Sequence, residues 1–159
     1  MEAIRAKTDI QAPLWEVYEI MSTLGGLRSW LTRDAQGDPA KGGTLTLGFG
    51  PERTMVMQVG IVRKNAYISW VLTDSTFPAS GSGQKTKIVF RLCEGEGRGT
   101  NVDVAHSGWT DTNEFYRVSG YLWEQSLLSL KKVCETGRGE PITPAVLTTK
   151  KATGWFPVM

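Results

Sequence analysis

The amino-acid sequence predicts an α+β fold, in which one long C-terminal helix lies across an antiparallel sheet within a single domain. Three observations predict it. Apolar and polar residues alternate in repeated short runs between residues 3 and 107, joined by hairpin-length connections. Between residues 112 and 136 the period changes, and apolar residues recur on one helical stripe. The strand runs and the helical runs are segregated along the chain, which argues against a parallel α/β sheet.

The elements follow in order. Ile4, Ala6, Thr8 and Ile10 share one face of a first strand, with Arg5, Lys7 and Asp9 on the other. Pro13 suits the first turn of a helix carrying Leu14, Trp15, Val17, Tyr18 and Met21. Gly25-Gly26 interrupts it, and Leu27 to Leu31 form a second short helical piece. Residues 32–43 are polar and glycine-rich and are expected as a loop. Four strands follow, marked by Leu45-Leu47-Phe49, Met55-Met57-Val59-Ile61, Ile68-Trp70-Leu72 and Ile88-Phe90-Leu92. Lys64-Asn65-Ala66 is a tight turn, residues 74–84 a long Gly/Ser loop, and residues 94–99 (EGEGRG) a hairpin connection. A sixth strand over 100–107 points Val102, Val104 and His106 one way. Asp111-Thr112 is the expected helix cap and Gly137 the expected stop. Tyr116, Gly120, Trp123, Leu127, Leu130 and Cys134 form the helical stripe, flanked by Phe115, Leu122 and Val133. The domain is expected over residues 1–137. Residues 138–159, with Pro141, Pro144 and Pro157, are expected as an extended or partly disordered tail whose Trp155, Phe156, Val158 and Met159 can dock.

Composition narrows the function classes. Hydrophobic residues make up 40% and charged residues 21% of 159, enough to build a core without staples. The 18 basic and 16 acidic residues are interspersed, so the focused basic face that nucleic acid requires is not expected. Cys93 and Cys134 lack metal-ligand spacing and are expected as small buried hydrophobes in a reducing compartment. No apolar run reaches the length of a membrane span and the N-terminus has no signal-like core, so a cytoplasmic location is expected.

The segments APLWEVY and LRSWLT after the first strand resemble the START-like (SRPBCC) superfamily. GDPAKGGTLTLGFG, FRLCEGEGRGTNVDVAHSGW and GYLWEQSLLSLKKVCETGRGEP are similar to the branch related to the C-terminal domain of the activator of the heat-shock ATPase chaperone. The resemblance spans roughly residues 3–141. It implies a helix-grip fold: a curved antiparallel six-stranded sheet wrapped around the C-terminal helix, with two short helices after the first strand and a cavity between sheet and helix. It also implies a small apolar ligand, with a chaperone as a further partner class and a cyclase- or hydrolase-type enzyme as a further activity class.

The candidate pocket consists of Trp30, Phe49, Met57, Trp70, Phe90, His106, Trp109, Tyr116, Gly120 and Trp123. Rigid rings with polar tips suit an apolar pocket holding a few oriented polar groups. Trp30 and Trp109 are expected at its mouth. Gly120, mid-helix on the apolar stripe, is expected to leave space for a ligand or for close approach of the sheet backbone. His106, the lone histidine, suits a structural bond, a ligand contact or a general base. Ser107 faces the opposite side of the strand and does not pair with it. No cofactor and no metal is expected, since one histidine and scattered carboxylates form no ligand cluster. Phe77-Pro78 in the 74–84 loop are expected in a lid, and the apolar tail end is the one hint of a homodimer.

Overall fold

A computed structural model of the chain describes residues 3–80 and 85–157. Strand β1 (Ile4–Ile10) leads into helices α1 (Leu14–Ser22) and α2 (Leu24–Trp30). Strands β2 (Asp34–Gly37), β3 (Thr44–Gly48), β4 (Thr54–Arg63), β5 (Tyr67–Ser75), β6 (Lys87–Glu94) and β7 (Thr100–Ser107) follow, then helix α3 (Glu114–Thr136). The strands form one seven-stranded antiparallel sheet in the order β1-β7-β6-β5-β4-β3-β2. The fold is α+β and agrees with the helix-grip expectation.

The sheet has one strand more than the alternation predicts. β2 carries Asp34, Gln36 and Gly37 exposed and only Ala35 turned into the core, so a four-residue edge strand leaves no apolar run to detect. β4 departs in another way. Met55, Met57 and Val59 are buried as expected, but Ile61 is 43% exposed. The pairing with β5 shifts between Val59 and Val62, where Ser69 Oγ accepts from the Ile61 amide at 2.9 Å. A one-residue irregularity of this kind turns the following side chains to the other face.

Helix α3 begins one or two residues later than expected. Asn113 is the cap, accepting from the Tyr116 amide at 3.1 Å, while the Thr112 carbonyl accepts from Arg117 at 3.0 Å and belongs to the preceding loop. Asn113 also donates to the Ala79 carbonyl at 2.9 Å, tying the helix start to the β5–β6 connection. Gly137 ends the helix in the left-handed conformation at φ 84°, its amide bonded to Val133. The buried face of α3 is wider than the apolar stripe and runs from Phe115 and Val118 round to Gly120 and Leu127. At 3.6 residues per turn, Ser119 and Ser126 fall at the middle of that arc.

The segment after Gly137 is not simply extended. The Ile142 amide donates to the Leu31 carbonyl at 2.9 Å, and two short helices follow, α4 (Pro144–Leu147) and α5 (Lys150–Thr153). Val158 and Met159 lie outside the described residues, as do 81–84 of the Gly/Ser loop. Phe77 of that loop, expected in a lid, is packed into the core. It is buried between Phe49 and Phe115, with ring centroids at 5.8 and 5.6 Å. Cys93 is exposed on β6, contrary to expectation, because it sits beside Leu92 on the outward parity; Cys134 is half-buried, and both are free.

Asn113 both caps α3 and anchors Ala79. Asn113→Ala should lower unfolding free energy by about 1–2 kcal/mol, read as a lower urea midpoint at unchanged slope.

Candidate functional site

β7 positions His106 by strand parity: with Val102 and Val104 buried on the same face, its ring enters the concave side of the sheet and is fully buried. Both ring nitrogens are engaged. Trp123 Nε1 of α3 donates to Nδ1 at 2.9 Å, so Nδ1 is the unprotonated acceptor. Nε2 then carries the hydrogen and donates to Thr86 Oγ1 at 2.7 Å. The His106 carbonyl accepts from Trp109 Nε1 at 2.8 Å. Burial pushes the imidazole pKa from 6.5 down to about 3. A neutral ring with both nitrogens occupied is a structural joint between helix and sheet, not a poised general base.

Around this joint the candidate aromatics meet. Phe90 packs edge-on against Trp30, Trp70 and Trp123, with centroids at 6.3, 4.9 and 5.7 Å. His106 lies 4.4 Å from Trp109, which stacks at right angles on Tyr116 at 5.2 Å. Phe49 joins through Phe77 and Phe115 to Trp109, and Met57 is buried between Leu45 and Leu72 in register. Trp30 and Trp109, expected at a mouth, are both inside, because α2 directs Trp30 onto Phe90 and the Trp109 indole is drawn in by the His106 carbonyl.

Two polar atoms in this interior have no hydrogen-bond partner among the described residues: Trp30 Nε1 and Ser119 Oγ, both in fully buried residues. Ser126, the other serine at the centre of the α3 face, donates back to the Leu122 carbonyl at 2.6 Å. Sequence reasoning missed both serines. Apolar periodicity skips hydroxyls, and nothing in the order of residues distinguishes a buried serine from a solvated one.

Gly120 seats neither a ligand nor the sheet. A Cβ there would overlap the six-membered ring of Trp155, which reaches back from beyond α5. Trp155 Nε1 donates to Glu124 Oε2 at 2.6 Å, and the ring lies 6.0 Å from Tyr116. Pro144 covers Gly50 in the same way. A cavity of about 110 Å³ remains between Arg53, Phe77, Pro78, Val118 and the tail residues Leu147 and Thr153.

Larger depressions lie outside the grip. One of about 440 Å³ sits on the outer sheet face, rimmed by Arg5, Lys7, Arg91 and Asp103 over Val89. Another, of about 480 Å³, runs from Arg33 and Phe49 to Ile142 and Pro144. Among the described residues, no group of three or more His, Cys, Asp or Glu is placed to hold a metal ion. No helix among them is long and apolar enough to cross a membrane.

The unfolded chain takes up a proton on His106 near pH 6.5 and the folded chain only near 3, so stability is complete above about 6.5 and declines below it. The slope from this one group approaches about 1.4 kcal/mol per pH unit. His106→Gln should be less stable than the parent at pH 7, and the gap should narrow as pH falls to 5. Paired urea titrations at each pH check this.

The arrangement has known counterparts. Residues 11–135 match the family described as Activator of Hsp90 ATPase homolog 1-like protein. No curated protein sequence matches the chain. Among solved structures, the Aha1 dimer from Colwellia psychrerythraea is 30% identical, with a TM-score of 0.75 over 87% of this chain and 100% of that one. CalU16 from Micromonospora echinospora is 19% identical, with a TM-score of 0.67 over 96% of this chain and 85% of that one. DynU16, from the dynemicin biosynthetic locus, is 17% identical with a TM-score of 0.71; 87% of this chain covers 49% of it. The last two show the shared fold alone. The family match and the Aha1 similarity together place this chain in the Activator of Hsp90 ATPase homolog 1-like family.

Proposed function

We propose that the chain binds a small apolar molecule between the concave sheet face and α3, without using His106 as a catalyst. The observation that carries this reading is the pair of unpartnered polar atoms, Trp30 Nε1 and Ser119 Oγ, inside an aromatic interior. Buried polar groups are almost always bonded, so an orphaned donor and a hydroxyl at the core of a helix grip suit a ligand with one or two polar groups. The candidate aromatics Trp30, Phe49, Trp70, Phe90, Trp109, Tyr116 and Trp123, with Met57, would supply its apolar contacts. The rings already touch one another, so a ligand displaces side chains as it binds. A mass excess in native mass spectrometry that vanishes on denaturation supports the reading. Bare chain mass, together with no response to apolar fluorescent probes, removes it.

Ser119→Ala tests the site directly. Affinity for 2-naphthol, whose hydroxyl can meet the serine, should fall roughly five- to tenfold, the worth of one hydrogen bond. Thermal stability should hold or rise, because an unpartnered hydroxyl leaves the core. Unchanged affinity in a fluorescence titration would place the ligand elsewhere.

A second reading, regulation of a chaperone ATPase, is favoured by the family description and the Aha1 similarity. It expects the purified chain to raise the ATPase rate of an Hsp90-class chaperone, and no stimulation at saturation dismisses it.

A further inference from the structure

The tail after Gly137 lies beyond the residues that match the family, yet it is fastened to the body at successive points. The Ile142 amide bonds to Leu31, Pro144 sits on Gly50, and Leu147 is 1% exposed. Arg117 Nε of α3 donates to the Thr153 carbonyl at 2.8 Å, and Trp155 lies on Gly120 with its N–H on Glu124. Phe156 is left 66% exposed, its ring 5.9 Å from the Arg117 guanidinium.

These anchors follow one rim of the grip. Gly50 and Arg53 belong to the β3–β4 turn, Phe77 and Pro78 to the β5–β6 connection, and Glu114 and Val118 to the first turns of α3. Together they border the end of the space between sheet and helix, and the tail crosses it. The tail adds Ile142, Leu147 and Trp155 to the margin of the core, but the segment carrying them consists of two four-residue helices, which have little stability of their own. Segments held this way open at lower free energy than the strands they cover.

We propose that residues 142–155 are a strap across the mouth of the binding space, latched by Trp155 on Gly120 and Glu124, whose release admits the apolar ligand. What passes through the mouth rests on the carrier reading above; the latch itself does not. Glycine at 120 is then required by the strap, since any side chain there expels the Trp155 ring.

The test uses the full chain, Trp155→Ala and Glu124→Gln. The second variant keeps size and fold and weakens only the indole bond from a charged to a neutral acceptor. Stopped-flow association of N-phenyl-1-naphthylamine should quicken roughly tenfold in Trp155→Ala and about threefold in Glu124→Gln, the scale of one lost contact of each kind. Amides at the rim, such as Ser80 and Val118, should exchange faster in both variants, while those of β7 keep their protection. Equal association rates in all three proteins overturn the strap and leave the carrier reading standing. If the probe binds none of them, the carrier reading fails and exchange decides the strap: faster rim exchange supports it, unchanged rim exchange overturns it.

Discussion

The hydrogen-bond relay Trp123–His106–Thr86 fixes how the helix sits on the sheet. One imidazole joins α3, β7 and the residues leading into β6, in a place no water reaches. Its two nitrogens differ, and each neighbour selects the role of the other: an indole can only donate, so the far nitrogen must carry the hydrogen. The relay therefore sets rotation and depth of α3 together. Once Trp123 is held, Phe90, Trp30 and Trp70 have defined surfaces to pack on, and the right-angled ring contacts follow. A protonated imidazole would break the arrangement, and burial, which disfavours the charged form, keeps the ring neutral.

Much of this was legible in the sequence, and the rest was hidden for identifiable reasons. Strand parity alone turned His106, Phe90 and Trp70 inward, because a half-buried strand enforces a period of two. The same logic failed at Ile61, where a register irregularity breaks the period, and at Asp34–Gly37, where an edge strand has almost nothing to bury. Gly120 drew notice because glycine is costly in mid-helix. Its reason lay thirty-odd residues away in Trp155, a contact across sequence that no local pattern encodes. Ser119 was invisible because its burial is set by neighbours on α3 rather than by its own polarity.

Family membership and site chemistry answer different questions here. The match over residues 11–135 accounts for the curved sheet and the gripping helix. It says little about cargo, since one fold serves many functions and the site decides between them. In this chain the particular features are an imidazole with no free nitrogen, Trp30 Nε1 and Ser119 Oγ buried without a partner among the described residues, and a tryptophan from outside the matched segment lying on the helix.

The sheet is open, and an open sheet has two raw edges that invite pairing between molecules. The two ends are blunted differently. β2 is four residues long and stops at Gly37, whose φ of 111° turns the chain out of the strand path. β1 is longer, but Arg5 and Lys7 are exposed along it, and the Lys131 ammonium takes the Asp9 carbonyl at its end. A seven-stranded sheet rich in valine and isoleucine would otherwise be a template for aggregation. Brevity at one margin and charge at the other oppose its growth from molecule to molecule.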